Sequence, residues 1–219
     1  TELFPTINIG FERTEDQSFT VGYSRRLRRP RFWYLNPFES RSSQNVIYKG
    51  NPGLTPTFTN SFDLGYLQKI GKLTLNSSIY FQHSINSILR VSRDEIRLLD
   101  GVNQVITIRE PINLASEDRF GFELTANYNP SKKVRLSGSF NVFQQESKGL
   151  YAYNKFIIDE ITGAISATPE TQDLGNTNNS WFTRFNATFS LPWKIQMQNR
   201  LSYRGPRNTA QSESEGIFS

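Results

Sequence analysis

Phe120-Gly121-Phe122-Glu123-Leu124-Thr125-Ala126-Asn127-Tyr128 is followed a few residues later by Val134-Arg135-Leu136-Ser137-Gly138-Ser139-Phe140-Asn141-Val142. In both stretches apolar or aromatic side chains alternate with small, polar or charged ones. That is the two-residue period of a strand with unlike faces, not the period of about 3.6 that marks a helix. Each stretch runs about nine residues, enough for an inclined strand to cross a bilayer, whereas strands of soluble domains average about 5–6.

The same alternation returns on either side. Upstream it carries Ile7, Ile9 and Phe11; Phe19, Val21 and Tyr23; Phe62, Leu64 and Tyr66; and Leu73, Leu75, Ile79 and Phe81. Downstream it carries Trp181, Phe185, Ala187, Phe189 and Leu191, then Ile195, Met197, Leu201 and Tyr203. Eight strands result. Hydrophobic residues make up 36% of the chain while aromatics reach 13%, a poor endowment for a thick core but a sufficient one for a thin apolar band on one face of a barrel. With no cysteine, disulfide frameworks and thiolate chemistry are excluded. No apolar run approaches the roughly 20 residues of a transmembrane helix.

Connections alternate short and long. Short turns fall at 14–17, 69–72, 129–133 and 192–194, and long connections at 26–60, 84–118 and 144–180. This rhythm is expected of an all-β, antiparallel, up-and-down transmembrane β-barrel with short periplasmic turns and long extracellular loops. Residues 1–219 then read as one fragment of such a domain, about eight strands of a larger barrel, with 205–219 as an unfinished polar loop. Pairing Tyr128 with Val134 sets Phe122 opposite Phe140 and Glu123 opposite Ser139. Pairing Leu191 with Trp193 sets Phe189 by Ile195 and Trp181 by Tyr203. In both hairpins apolar faces meet apolar faces, except that Asn199 falls on the apolar face opposite Phe185. Tyr23, Tyr66, Phe81, Tyr128, Trp181, Trp193 and Tyr203 fall near strand ends, as interfacial girdles require.

One motif is more specific than the pattern. Tyr23-Ser24-Arg25-Arg26-Leu27-Arg28-Arg29-Pro30 leads into Leu35-Asn36-Pro37-Phe38. Gly50-Asn51-Pro52-Gly53-Leu54-Thr55-Pro56 leads into Ser61-Phe62-Asp63-Leu64-Gly65-Tyr66. These roughly 45 residues resemble the barrel region of TonB-dependent receptors, in particular the outer-membrane β-barrel family abundant in Bacteroidetes. The family pattern places an acidic residue where Thr57 stands. Gly50, Asn51, Pro52, Leu54, Pro56, Leu64, Gly65 and Tyr66 read as architectural, with Gly50 and Gly53 supplying unusual backbone angles and the prolines stiffening a descending loop. The resemblance implies a barrel of roughly 22 strands in the bacterial outer membrane. It also implies a plug domain and an energy-coupling segment that engages the TonB system.

Catalytic, cofactor and metal-binding residues are not evident, and no enzyme activity is expected. His83 lacks an orienting partner recognisable in the sequence, and Asp159-Glu160 and Glu213 with Glu215 supply too few ligands for a cation. Arg28, Arg29, Arg31, Trp33 and Tyr34 sit where a strand leaves the membrane. They are candidates for contacts with lipopolysaccharide phosphates or an anionic ligand, or for a solvated, internally paired loop; no nucleic-acid partner is expected. Arg119, Glu123, Arg135, Arg184 and Arg200 face away from the apolar side and would line the lumen, touch a plug, or pair with one another; Arg119 and Glu123 share that face, with Arg135 near. The expected function is energised uptake of a scarce ligand such as a metal chelate, oligosaccharide or peptide. The alternative is a non-transporting barrel serving a cell-surface complex, with a surface lipoprotein or other envelope component as partner.

Overall fold

The computed structural model describes residues 2–43, 45–99, 101–158, 164–209, 212–214 and 217–218. In chain order, β1 (Thr6–Thr14) and β2 (Gln17–Arg28) form a hairpin, followed by a four-residue helix α1 (Phe32–Leu35) and the short strands β3 (Ser40–Ser43) and β4 (Val46–Tyr48). Then come β5 (Thr57–Ile70), β6 (Leu73–Ile85), β7 (Ile88–Leu99), β8 (Val102–Asn113), β9 (Ser116–Ser131) and β10 (Val134–Lys148). The chain continues through β11 (Leu150–Ile158), β12 (Ile165–Asp173), β13 (Asn176–Ser190) and β14 (Gln196–Arg204), with β15 (Arg207–Thr209), β16 (Ser212–Ser214) and β17 (Ile217–Phe218) after them. The main sheet is antiparallel, ordered β1-β2-β5-β6-β9-β10-β13-β14, with two-residue β17 against β14. It is an open stretch of up-and-down sheet.

The register aligns the apolar positions across strands. Ile9, Val21, Leu64, Ile79, Phe122, Val142 and Trp181 stand side by side in one row over seven strands. These side chains remain 36–63% exposed. An apolar face left this open in water would be an aggregation surface; it fits a sheet whose second layer is lipid. Aromatic pairs edge the band: Tyr23 with Phe62 at 4.9 Å, Phe19 with Tyr66 at 4.9 Å and Trp181 with Tyr203 at 4.7 Å between ring centroids.

The band does not run along the row. On β1 it spans Ile7 to Phe11, centred on Ile9; on β14 and the residue before it, it spans Ile195 to Tyr203, centred on Asn199. The row of Ile9 reaches Gly205, whose N–H donates to the Trp181 carbonyl at 2.8 Å, so the centre slips by six residues in seven strand steps. With about 3.3 Å per residue and about 4.8 Å between strands, the strands lean by about 30° from the normal of the band. That is close to the incline that lets a sheet close into a membrane barrel.

Both expected hairpin registers are displaced by two residues. Tyr128 faces Leu136, Phe122 faces Val142 and Glu123 faces Asn141, because β9 runs on to Ser131 and its ladder breaks between Tyr128 and Ser131, where Pro130 has no amide to donate. In the last hairpin Phe189 faces Met197 and Thr183 faces Tyr203. Here Trp193 and Lys194 both adopt φ near +60°, and the wider turn is closed by Leu191 N–H donating to the Ile195 carbonyl at 2.8 Å. A slip of two keeps every side chain on its own face, so facial matching alone cannot detect it. Asn199 therefore faces Ala187, not Phe185.

The long connections are not loops in the sense expected. Residues 84–118 contain the β7–β8 hairpin, residues 144–180 the β11–β12 hairpin, and β2, β6, β9, β10 and β13 each run well past the band. Residues 205–219 likewise hold short strands. Beyond the band both faces meet water, so the hydropathy contrast that reveals a strand fades while backbone pairing continues. β7 and β8 join β3 and β4 in a second sheet, ordered β3-β4-β8-β7, in which β4 and β8 are parallel.

Register predicts opposite outcomes at two adjacent positions in the full-length protein refolded into lipid vesicles. Ile79→Arg, on the apolar face, is expected to cost about 2–4 kcal/mol in urea unfolding, while Ser78→Arg, facing Gly65 and Glu123, should cost far less. Equal losses would contradict the assignment of faces.

Candidate functional site

The buried side chains of this molecule lie mostly in the connections. Ile47, Val91, Ile106, Ile108 and Leu174 are essentially inaccessible, and Leu114 and Tyr151 nearly so. They collect on one face of the β3-β4-β8-β7 sheet, packed against β11. The same face holds charges. Arg93 pairs with Glu95 and Glu110, and Arg97 pairs with Glu95 and makes a two-pronged contact to Glu39, both prongs at 2.8 Å. Tyr151 donates to Glu110 at 2.6 Å. The chain of charges thus ties the segment after β2, the β7–β8 hairpin and β11 together. Hydrogen bonding from Arg97 holds the Glu39 carboxyl below its ordinary value. Burial pushes Glu95 up, but the Arg97 and Arg93 contacts outweigh it and leave the group lowered. Burial, then the Glu110 acceptor, raise the Tyr151 phenol.

The Gly50–Pro56 motif threads between this sheet and the barrel strands. Gly50 N–H donates to the Asn36 carbonyl at 2.9 Å and Asn51 N–H to the Tyr34 carbonyl at 2.6 Å. A β-carbon at residue 50 would lie 2.7 Å from the Tyr34 oxygen and closer still to that of Asn36. Gly50 is therefore required for close backbone approach; neither it nor Gly53 adopts a positive φ, which corrects the expectation of unusual angles. The Asn51 side chain donates to the Pro111 carbonyl, and Asn113 accepts from Thr55 N–H and donates to the carbonyls of Thr55 and Asn86. Leu54 is buried, and Pro52 and Pro56 flank it without strand pairing. Thr57, the departure from the family pattern, is 3% exposed and donates to the carbonyl of Asn86, a residue at φ 55°. A carboxylate there could not donate. Leu64, Gly65 and Tyr66 follow within β5.

The opposite face of the second sheet floors a cavity of about 440 Å³. Register places Arg90, Pro111, Arg109, Tyr48 and Ser40 together on it. α1 and its flanks supply Arg31, Trp33 and Tyr34, the motif supplies Gly50, and Lys49 just before it completes the lining. Arg31 lies over Trp33 at 5.2 Å, Arg90 over Tyr34 at 5.8 Å and Arg109 over Tyr48 at 5.7 Å from the ring centroids. Arg109 also donates to the Tyr48 hydroxyl at 3.0 Å. Of the five candidates read from the sequence, Arg31, Trp33 and Tyr34 line this cavity; Arg28, at the end of β2, and Arg29 do not, and both are exposed.

On the polar face of the main sheet, Arg119 bonds Gln145 and lies over Phe143 at 4.7 Å, and Arg184 lies over Phe182 at 5.1 Å. These four border a second cavity of about 320 Å³ together with Arg204. Arg200 donates to Asn186 at 3.1 Å. Glu123 stands two positions along β9 from Gly121, over which the Tyr80 ring lies to reach Asn141. Arg135 faces Thr188 and Glu123 faces Asn141, six residues farther along β10, so the two are roughly 20 Å apart and not neighbours as expected. None of these five residues joins an ion pair among the described residues.

His83 has a partner after all: Asp118 faces it across β6 and β9, with Nδ1 and Oδ1 at 2.5 Å. Arg25, Asn60 and Glu146 continue that row, which makes it a polar rim just beyond the aromatic edge of the band. Asp159, Glu160 and Glu215 lie outside the described residues, and among the described residues no cluster of three or more potential metal ligands occurs.

Over residues 1–219 the sequence matches the outer membrane protein beta-barrel family. The chain belongs to that family. Its place is therefore the bacterial outer membrane, and the exposed apolar band is its lipid-facing surface. No curated protein matches the sequence. Among solved structures it is similar to the ferric enterobactin receptor of Pseudomonas aeruginosa, with 14% identity, a TM-score of 0.48, and coverage of 94% of this chain and 34% of that one. It is also similar to the siderophore receptor PirA from Acinetobacter baumannii, with 12% identity, a TM-score of 0.47, and coverage of 97% and 39%. For the FrpB iron transporter from Neisseria meningitidis the values are 11%, 0.45, 100% and 37%. The chain thus spans little more than a third of the length of these structures.

For a member of the barrel family, sequence reading missed Lys49, Tyr48, Arg90 and Arg109 at the cavity, and Phe143, Phe182 and Arg204 on the inner face. The first group belongs to segments that carry no periodic signal of their own. The two phenylalanines sit on the off-phase of their strands, a departure from alternation visible in the sequence and assigned there to no role.

Two outcomes follow for the full-length barrel. Gly50→Ala should destabilise the 31–51 region by about 1–3 kcal/mol, read as loss of hydrogen-exchange protection at Gly50 and Asn51; unchanged protection would refute the close-approach argument. Because Glu39 and Glu95 titrate below their unfolded values, their pairing stabilises at every pH above the ordinary carboxyl range and fades as pH falls through the depressed values. Amide protection in β7 should therefore hold from about pH 7 to 5 and drop below about pH 4, and Arg97→Gln should lower it at pH 7 and flatten the pH profile.

Proposed function

We propose that this chain is part of the barrel of a TonB-dependent outer-membrane receptor that takes up a scarce ligand, a metal chelate, oligosaccharide or peptide, with no chemical step of its own. The observation that carries the reading is the receptor-like motif, Gly50 to Tyr66, which locks folded connections onto one end of lipid-spanning strands. A barrel that served only as a membrane filler would need neither an ion-paired core in its connections nor cavities lined by arginine and aromatic side chains. The two-residue turns are assigned to the periplasmic side and the folded connections to the outside. Arg119, Arg184 and Arg204 stack on aromatics of the polar face and join no ion pair among the described residues, so they are suited to receive acidic groups of a plug, with Glu123, Arg135 and Arg200 lining the same wall.

The test is accumulation of labelled ferric chelates, oligosaccharides and peptides by cells producing the full-length protein. One class should accumulate, and both a protonophore and loss of TonB should abolish it. Accumulation of none, with the protein recovered in a stable complex with a surface lipoprotein, would replace this reading with that of an assembly component.

A further inference from the structure

The cavity between α1 and the second sheet gathers four cations from separate segments of the chain. Arg31, Lys49, Arg90 and Arg109 converge on it, and none of them joins an ion pair among the described residues. The nearby carboxylate of Glu39 is held by both prongs of Arg97 and also attracts Lys49 at longer range, which leaves the three arginines without a carboxylate in contact among the described residues. Four cations so placed repel one another unless an anion joins them. Three of the four instead rest on aromatic faces, those of Trp33, Tyr34 and Tyr48, an arrangement that keeps guanidinium groups in place while leaving N–H groups to donate, Arg109 giving one of its own to the Tyr48 hydroxyl.

The cavity also has a rigid base. The floor is one face of a sheet whose other face holds the buried core and the Arg93–Glu95–Arg97–Glu39 charges. The wall is fixed by Gly50 and Asn51 binding the carbonyls of Asn36 and Tyr34. Its volume of about 440 Å³ suits a small molecule and not a polymer segment.

We infer that this cavity is a binding site for a small polyanion whose acidic oxygens are carried on a ring, aromatic or sugar, with one face able to stack on an aromatic side chain. The oxygens meet Arg90, Arg109, Arg31 and Lys49, and the ring face packs against the exposed Trp33. Two sources share this chemistry: a soluble acidic ring compound, and the phosphorylated sugars of lipopolysaccharide. The inference deepens the receptor reading and rests on it only for the identity of the cell's ligand; binding itself is measurable whether or not transport occurs.

The test uses the full-length protein in detergent, with benzene-1,3,5-tricarboxylate as probe and its neutral tricarboxamide as control, read by calorimetry. The tricarboxylate should bind and the tricarboxamide should not. Arg90→Gln and Arg109→Gln should each weaken binding about tenfold, and Trp33→Ala should weaken it while leaving its salt dependence intact. Lys155→Gln, outside the cavity, should change nothing. Competition by purified lipopolysaccharide assigns the site to lipid phosphates, and its absence assigns it to a soluble ligand. Equal binding of the acid and the amide, no binding of the acid, or full binding by the Arg90 and Arg109 variants with unchanged heat stability would overturn the inference. If energised uptake fails while these binding results stand, the receptor reading falls and the site remains.

Discussion

Hydrocarbon offers no partner to an unpaired backbone amide, so a chain that crosses a bilayer as strands must pair every one of them sideways. That constraint explains why the membrane-crossing part is a single layer. Its eight long strands are bound edge to edge and stabilised by ladder pairing, and among the described residues no second sheet buries their apolar face. The face is finished by lipid, and the row from Ile9 to Trp181 is the part of the chain most directly shaped by it. The slip of the band from strand to strand follows from the same requirement, since a sheet can close on itself only if its strands lean.

Outside the hydrocarbon the rules revert to those of water, and the architecture changes accordingly. A connection of about thirty residues gains nothing by being irregular, and here two of them fold into hairpins with a dry core of Ile47, Val91, Ile106 and Ile108. The charges buried beside that core cannot stand alone; each is matched, Arg93 by Glu95 and Glu110, Arg97 by Glu95 and Glu39. Such matched charges stabilise little in net terms against apolar substitutes. Their contribution is to define which connection meets which, because a mismatched docking would leave a buried charge without its partner. The arginine- and aromatic-lined cavity lies on the reverse of that same sheet, so specific docking on one face fixes the side chains on the other.

The family motif acquires a physical meaning in this setting. Gly50 is needed because two backbone carbonyls approach it, Asn51 because its amide spans to Pro111, and Leu54 because it is buried. Thr57 takes a position where the family carries an acid and satisfies the carbonyl of Asn86 by donating, a bond a carboxylate would have to replace with another arrangement. The motif is thus a clamp between membrane strands and the folded connections, and its Gly50 borders the cavity without supplying charge.

Alternation by itself determined the class of fold, the eight membrane-crossing strands and the face of most of their side chains, because lipid on one side and water on the other impose a two-residue code on those strands between Ile7 and Tyr203. It could not determine register, since a displacement of two residues leaves that code intact; Pro130 and the paired positive φ angles of Trp193 and Lys194 decided it. Nor could it foresee the hairpins, whose buried face mixes isoleucine with arginine and glutamate and so carries no hydropathy rhythm. Arg31, Trp33 and Tyr34 stood out locally as basic and aromatic neighbours, but Arg90 and Arg109 joined them only through long-range pairing of β7, β8 and β4. Composition along the chain records which faces are dry; only tertiary structure decides which distant cations end in the same cavity.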